Sequence, residues 1–343
     1  MIDKINSKSN NCLNLIRIIA ALQVLFGHGV EHLKLPISED LLRLSYFFRG
    51  VPIFFALSGY LIWFSVENSA SYVKYLKKRF WRVYPELWAS VAIDVVVIVF
   101  LHKGWDILSL VLFAIGQGTI FQFWTPDCLR SYGVGTPNGA LWTIGVMIQF
   151  YIVVWLFYLI MKKRTFVAWI TGFFVSFITA LAFNYIFTSL ITNEIMGKSY
   201  NQTLFGYFWL FYIGMFIARF SDRLLPFLVK YWFVFIIIGF VFFWTRFDLY
   251  SSYYLLWSIF LIFGLIGFAY RFPTVSVNPD ISYGIFLYHM IIMNVFVHFH
   301  WTGHWYYLLI VILLSAGIAW LSAITIGKYS SKQKSKISLN IKQ

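Results

Sequence analysis

An arginine and a histidine share one face of the first long apolar segment, LNLIRIIAALQVLFGHGV. Arg17 and His28 are eleven residues apart, and eleven steps of about 100° return a helix to the same face. A charged group inside a membrane-spanning helix costs roughly 2.5 to 3.5 kcal/mol on insertion scales, so such groups often mark function. The structural alternative is that Arg17 reaches the lipid headgroups and His28 hydrogen-bonds a neighbouring helix.

General base catalysis is the chemistry that suits His28. A histidine side chain has an unperturbed pKa of about 6.5, so it can take a proton from a hydroxyl near neutral pH, which is worth about 10² to 10⁴ in rate. In a later apolar segment, ISYGIFLYHMII, Ser282 and His289 lie near one helix face with Tyr288 beside them. Two histidines in separate membrane helices favour a shared polar cavity.

The composition places these residues in a membrane protein. Of 343 residues, 60% are hydrophobic, 22% aromatic and only 12% charged, which is typical of a chain that uses lipid as its solvent. The predicted fold is all-α, a polytopic integral membrane helix bundle of about ten transmembrane helices. The predicted spans are residues 13–33, 47–66, 83–101, 140–161, 166–188, 204–219, 231–247, 252–270, 282–299 and 305–327.

The distribution of basic residues predicts the orientation. With both termini in the cytoplasm, 20 of the 27 lysine and arginine residues lie inside. A further apolar segment, residues 107–123, would flip every later span if it crossed the membrane and would leave only 11 basic residues inside. We therefore predict that this segment is re-entrant or lies in the outer leaflet, and that residues 102–139 are external. The net charge of +14 follows from this topology, so no nucleic-acid partner is expected.

Residues 1–330 are predicted to form the membrane domain that carries the candidate chemistry. Two regions are predicted to carry none, and the first is residues 331–343, which are predicted to be a short, basic, disordered cytoplasmic tail. Near the predicted outer side, three histidines lack a cysteine or acidic partner at ligand spacing, so no metal is expected there. These histidines are His298, His300 and His304.

Three further patterns could bind a ligand or stabilise the bundle. Arg79 and Arg82, in KKRFWRVYPELW, are three residues apart on one helix face, and paired guanidinium groups can hold phosphates by bidentate hydrogen bonds. The excess of basic residues expected at the cytoplasmic face explains the pair equally well. Ser58, in FFALSGY, permits close helix packing or offers a hydroxyl to a neighbour. Asp94, in VAIDVVV, suits either a structural partner or a proton-handling group.

The chain resembles the acyltransferase-3 family of bacterial membrane enzymes over nearly its whole length. Arg17 followed by ten residues and His28, FFALSGY, the arginine pair, LWTIGVMIQFY and SYGIFLYH occur in the order and rough spacing of that family. The resemblance implies a multi-pass protein of the bacterial cytoplasmic membrane. It would move an acyl group, commonly acetyl, from cytoplasmic acyl-CoA to a surface or lipid-linked carbohydrate.

The resemblance also implies roles for individual residues. His28 would be catalytic, Arg17 essential, and Arg79 and Arg82 contacts of the CoA phosphates. Arg17 lies about 16 Å from His28 along a helix, so we assign it to the acyl-CoA entry path rather than to the reacting atoms. The thioester oxyanion needs fixed donors. The candidates by type, without ranking, are Arg17, Ser58, Trp142, Tyr288 and His289.

One position departs from the family pattern. That pattern usually has a glutamate six residues after the leucine of its LWS/T motif, where this chain has Met147, which cannot hold a proton. Asp94 or Gln149 could replace the carboxylate by type, or the activity could be altered.

Two other functional classes stay open from the sequence. A membrane transporter or flippase of a glycan or lipid-linked intermediate would also have ten spans, although the inverted repeats expected of many transporters are not visible. A catalytically silent membrane scaffold is the third reading, suggested by Met147.

Overall fold

A computed structural model describes residues 11–122, 124–189, 202–245, 255–273, 275 and 277–339, and these residues form a bundle of helices without strands. Short 3₁₀ turns occupy Tyr46–Phe48, Asp127–Leu129 and Leu204–Gly206. In chain order the helices are α1 Leu13–His32, α2 Glu39–Ser45, α3 Gly50–Glu67, α4 Tyr72–Leu101, α5 Ile107–Gln117, α6 Trp142–Met161, α7 Phe166–Ser189, α8 Phe208–Arg219, α9 Ser221–Thr245, α10 Leu255–Arg271, α11 Ser282–His298, α12 Trp305–Ser322 and α13 Lys328–Leu339.

Each predicted span overlaps one of these helices over most of its length, which confirms the all-α membrane architecture. Among the described residues, seven helical stretches are long and apolar enough to cross a membrane, and α8, α10 and α11 are shorter apolar helices. The ends of two predicted spans, residues 246–247 and 252–254, lie outside the described residues.

The apolar segment after α4 forms a helix that is too short to span. With 11 residues, α5 extends about 17 Å, well under the roughly 30 Å of bilayer hydrocarbon. Its Ile107 and Leu108 are 74% and 66% exposed, so the helix presents apolar side chains outward. This geometry agrees with the predicted re-entrant or outer-leaflet position.

The helix of the third predicted span begins before that span does. Helix α4 starts at Tyr72 rather than residue 83, because the hydroxyl oxygen of Ser71 accepts a hydrogen bond from the backbone N–H of Lys74 and caps the helix. The basic segment with Arg79 and Arg82 is therefore a regular part of α4.

The carboxyl-terminal tail is also helical, so the prediction of disorder is wrong for residues 331–339. Helix α12 continues through a π-helical turn, Ala323–Gly327, into α13, which packs along α4. Ser330 is buried and Lys334 is half-buried, one helical turn apart on the inner face. A polar helix that packs through only one face has no strong apolar pattern in its sequence, so hydropathy does not reveal it. Residues 340–343 lie outside the described part of the chain.

Glycines bring the inner helices into backbone contact. A Cβ atom on Gly59 would overlap the carbonyl oxygen of Phe211, so α3 and α8 approach as closely as small residues allow. A Cβ on Gly50 would likewise overlap the carbonyl oxygen of Ala20, so α3 begins directly against α1. The helices that carry Arg17, His28 and Ser58 are fixed to one another by these contacts.

The long loop before α6 is attached to α11. The side chain of Asn294 accepts a hydrogen bond from the backbone N–H of Val134 at 2.8 Å and donates to the carbonyl of Pro137 at 2.7 Å. Gly133 has a φ of +55°, and a Cβ there would overlap the Asn294 amide, so this turn requires glycine. The attachment positions the start of α6, which carries Trp142.

Cysteine labelling tests the predicted orientation, which places the starts of α1 and α4 at the cytoplasmic face and the loop after α1 at the outer face. In a chain with Cys12 and Cys128 replaced by alanine, Lys163→Cys between α6 and α7 should resist a membrane-impermeant maleimide in intact cells. Lys103→Cys, in the loop after α4, should be labelled as the matched control. Labelling at position 163 in intact cells would contradict the ten-span topology.

Candidate active site

His28 and His289 meet where α1 packs against α11. Nδ1 of His28 lies 3.0 Å from Nε2 of His289, and the two rings stack with their centroids 5.3 Å apart. His289 is fully buried, whereas His28 is partly exposed to a cavity. The two histidines that the sequence placed in a common polar region are therefore in direct contact.

Hydrogen bonding assigns a tautomer to each neutral ring. Nδ1 of His289 lies 3.0 Å from the carbonyl oxygen of Ile285, which can only accept, so this nitrogen carries the proton. Nε2 of His289 is then an acceptor, and Nδ1–H of His28 donates to it. Nε2 of His28 keeps its lone pair and has no hydrogen-bond partner among the described residues. A general base needs such a nitrogen.

A cavity of about 520 Å³ opens beside His28. Its volume lies within the range of small-molecule sites. Its wall contains both aromatic and polar side chains, a composition that suits a ligand with both apolar and hydroxyl-bearing faces. The aromatic residues are Tyr46, Trp142, Tyr207, Trp209 and Trp257, and the polar ones are Gln23, His28, Glu31, Arg49, Asn184 and Ser258.

A smaller cavity, of about 80 Å³, lies nearer the predicted cytoplasmic face. Arg17 and Arg82 line one part of it, and apolar side chains line most of the rest. Val51 lines both cavities, so the two adjoin. Phe286, in the wall of the smaller cavity, packs against the His289 ring with centroids 5.9 Å apart. The smaller cavity thus has arginines in its wall and, in Phe286, a side chain that contacts the histidine pair.

Asp280 holds Arg17 and Arg82 together. Its Oδ2 accepts hydrogen bonds from both guanidinium groups, that from Arg82 at 3.1 Å. Its Oδ1 accepts from the backbone N–H and the hydroxyl of Ser282, at 3.1 and 2.6 Å. Burial raises the pKa of Asp280, but the charges of Arg17 and Arg82 and the hydrogen bonds from Ser282 outweigh it and lower this pKa to about 2. The ionised carboxylate fixes both arginines beside the smaller cavity.

Arg79 lies one turn before Arg82 on α4 and has different partners. Its Nη2 donates to the hydroxyl of Ser65 at 3.0 Å, and its guanidinium lies 5.9 Å from the ring centroids of both Tyr75 and Tyr151. Its Nε is buried and has no hydrogen-bond partner among the described residues. The two arginines of the predicted phosphate clamp are therefore held separately, one by a hydroxyl and one by a carboxylate.

The supporting candidates separate into two groups. Ser58 lines the smaller cavity and Trp142 lines the larger one. The hydroxyl of Tyr288 donates instead to the hydroxyl of Ser322 on α12 at 3.3 Å. Tyr288 therefore joins two helices, and Ser58 and Trp142 stay candidates for contact with a reacting group.

Met147 lines the smaller cavity, and neither proposed replacement for the missing carboxylate is among the residues that line it. The Gln149 amide donates to the carbonyl of Gln202 and accepts from the N–H of Leu204, both at 2.9 Å. It attaches the loop before α8. Asp94 is buried in α4 and lines neither cavity. The structure therefore assigns neither Gln149 nor Asp94 to the cavity wall near Met147.

Two acidic residues near the candidate site were not among the residues predicted from the sequence. Asp280 precedes α11 by two residues, and an acidic residue next to the SYGIFLYH motif is a usable signal in a chain with only 13 aspartates and glutamates. Glu31 lies three residues after His28 and lines the larger cavity. The signal for Glu31 was its i, i+3 spacing from His28.

Comparison with known proteins identifies relatives. A family model described as an acyltransferase domain, that of the acyltransferase-3 family, matches residues 10–327. The chain is 24% identical over 336 residues to "Nodulation protein 10" of Rhizobium leguminosarum bv. viciae, covering 88% of each chain. It is 28% identical over 156 residues to an "O-acetyl transferase" of Shigella phage Sf6, covering 42% of this chain and 44% of that protein. No solved structure matches the chain significantly.

Replacing Asp280 tests whether the carboxylate stabilises the arginine cluster. Asp280→Asn should lower the thermal unfolding midpoint in detergent, because two largely buried cations lose their counter-ion, a loss of about 3 kcal/mol. Ser282→Ala, which removes one hydroxyl hydrogen bond, should cost only about 1 kcal/mol. Equal midpoints for Asp280→Asn and the parent would rule out this role.

Proposed function

The chain belongs to the acyltransferase-3 family and is a membrane O-acetyltransferase, and we propose that it transfers acetyl from cytoplasmic acetyl-CoA to a hydroxyl of a surface or lipid-linked carbohydrate. The observation that carries this proposal is the His28–His289 pair beside two adjoining cavities. One cavity has arginines at its far end, and the other has an aromatic and polar wall. The proposed location is the bacterial cytoplasmic membrane, with both termini in the cytoplasm.

The donor would bind from the predicted cytoplasmic face. Arg79 and Arg82 bind the CoA phosphates, and Arg17 guides the entry of the pantetheine arm. Arg17 and His28 are about 16 Å apart along α1, a length comparable to that of an extended pantetheine chain. Met147 lines the route, and its flexible side chain can adjust as the arm enters. The thioester then lies next to the larger cavity.

His28 would act as the general base in direct acyl transfer. Its Nε2 takes the proton from the acceptor hydroxyl while the hydroxyl oxygen attacks the thioester carbonyl carbon. A C–O ester bond forms, the C–S bond breaks, and the protonated His28 returns the proton to the departing thiolate. Throughout, His289 accepts the hydrogen bond from Nδ1–H of His28 and keeps its ring in one tautomer and orientation.

The oxyanion and the acceptor need their own contacts. Ser58 offers a hydroxyl from the smaller cavity, and Trp142 offers an indole N–H from the larger one, so we assign oxyanion stabilisation to these two. A sugar ring would stack on the aromatic wall of the larger cavity. Its hydroxyls would bond to polar residues such as Glu31 and Asn184.

Replacing His28 tests the base. His28→Ala should lower acetyl transfer per folded molecule at least 10²-fold and leave acetyl-CoA binding intact, because the arginines lie at the other end of the site. His289→Gln should retain more activity than His289→Leu, since only the amide can accept from Nδ1–H of His28. The measurements are transfer from labelled acetyl-CoA in purified membranes and mass spectrometry of surface glycans. Near-normal transfer by folded His28→Ala protein would eliminate the catalytic assignment.

The arginine pair can be tested without changing its charge. Arg79→Lys combined with Arg82→Lys keeps two cations on α4 but loses the planar guanidinium groups, so acetyl-CoA binding should weaken tenfold or more. Lys77→Arg, an exposed position on the same helix, is the control and should bind like the parent. If the double lysine variant binds acetyl-CoA as tightly as the parent, the two arginines do not clamp the phosphates.

A further inference from the structure

The carboxyl-terminal helix, α13, packs against the cytoplasmic end of α4. The rings of Tyr329 and Trp81 meet edge to face with centroids 5.7 Å apart. Gly327, at the end of the π-helical turn, leaves room for Glu86, because a Cβ there would come within 3.1 Å of its Oε1. Ser330 is only 4% exposed. The helix therefore has a definite inner face directed at the polar side of α4.

One lysine of α13 lies on that inner face. Lys334 is half-buried one turn after Ser330, whereas the other lysines of the helix are exposed. Burial, followed by the charges of Arg82 and Arg79, lowers the pKa of Lys334 to about 8, although Glu86 acts in the opposite direction. The exposed lysines are Lys328, Lys332 and Lys336.

The cluster around Lys334 has more positive than negative charge. Its cations come from three helices, and the carboxylates that interact with them are those of Asp280 and Glu86. Cations brought together away from water repel one another unless an anion lies between them. The four cations are Arg17 on α1, Arg79 and Arg82 on α4, and Lys334 on α13.

Buried hydrogen-bond donors without partners accompany this excess charge. Nε of Arg79 and the hydroxyls of Tyr75 and Ser330 are buried and have no hydrogen-bond partner among the residues that the structure describes. Tyr75 and Arg79 are one turn apart on α4, and Ser330 lies on the facing helix α13. Buried polar groups are normally hydrogen-bonded, so these three groups are available to an acceptor-rich ligand.

We infer that Lys334 is a donor-binding residue, and that α13 contributes it as a third cation, next to Arg79 and Arg82, for a phosphate of the acyl-CoA nucleotide. This inference rests on the proposed function. The nucleotide of CoA carries a diphosphate and a separate 3′-phosphate, and cations from more than one helix can contact phosphoryl groups at different positions. Arg79 and Arg82 project from a single helix, and Lys334 faces them from another.

Binding measurements on the full chain in phosphatidylcholine nanodiscs test this inference. Lys334→Gln should weaken CoA binding about tenfold, the effect of losing one charge-assisted contact. Lys332→Gln removes the same charge from an exposed site of the same helix and should bind like the parent. Lys334→Arg should restore binding. With dephospho-CoA, loss of the difference between parent and Lys334→Gln assigns the contact to the 3′-phosphate, and persistence assigns it to the diphosphate; both support the inference.

Other outcomes would overturn the inference. Parent-like CoA binding by Lys334→Gln, or equal weakening by Lys332→Gln, would show that Lys334 makes no specific contact. An effect confined to nanodiscs containing phosphatidylglycerol would assign Lys334 to a lipid headgroup. If the parent itself fails to bind CoA, the donor assignment under the proposed function fails as well, whereas parent binding with an unaffected Lys334→Gln variant defeats only the present inference.

A second measurement covers the case in which Lys334→Gln does not fold. In the chain with Cys12 and Cys128 replaced by alanine, CoA should slow the reaction of a thiol reagent with Lys334→Cys and leave the reaction with Lys332→Cys unchanged. Equal reaction rates at position 334 with and without CoA would count against contact with the nucleotide.

Discussion

A polar group inside a membrane bundle must find its partners within the protein, because lipid offers none, and this constraint shapes both ends of the site. At one end, a backbone carbonyl keeps the proton of His289 on Nδ1. The Nε2 of His289 then accepts a hydrogen bond and keeps the proton of His28 on its own Nδ1. At the other end, one carboxylate serves two guanidinium groups through Oδ2 and is itself held by Ser282 through Oδ1. In both arrangements, some hydrogen-bond donors or acceptors of these side chains stay available to a ligand.

Helix α1 links the two ends because it carries a member of each. The rise of α1 sets the separation of Arg17 and His28 at about 16 Å. The close backbone contacts of Gly50 and Gly59 hold α3 between α1 and α8, so that Val51 lines both cavities and Ser58 the smaller one. A bulkier side chain at either glycine would separate the helices and displace the residues that line the two cavities.

The sequence predicts the helices better than it predicts which side chains of different helices contact one another. Spans follow from hydropathy, and Arg17 and His28 stand out because polar groups are rare in apolar helices. The contact of His28 with His289 depends on how α1 packs on α11, which no local pattern encodes. Asp280 was missed because it lies between two helices and belongs to no periodic pattern. The sequence of α13 indicates disorder because its inner face is polar, with Ser330 and Lys334, and carries no apolar stripe.

Met147 changes which groups of the site can hold a proton in the proposed reaction. Where the family pattern has a carboxylate, this chain has a thioether in the wall of the smaller cavity, and neither Asp94 nor Gln149 lies there instead. The orientation of His28 does not need that carboxylate, because neutral His289 already accepts its Nδ1–H. A neutral acceptor stabilises a protonated His28 less than a carboxylate would, so the proton should pass to the departing thiolate readily. In the proposed reaction, the apolar side chain of Met147 would limit water beside the thioester, which would favour transfer to a sugar hydroxyl over hydrolysis.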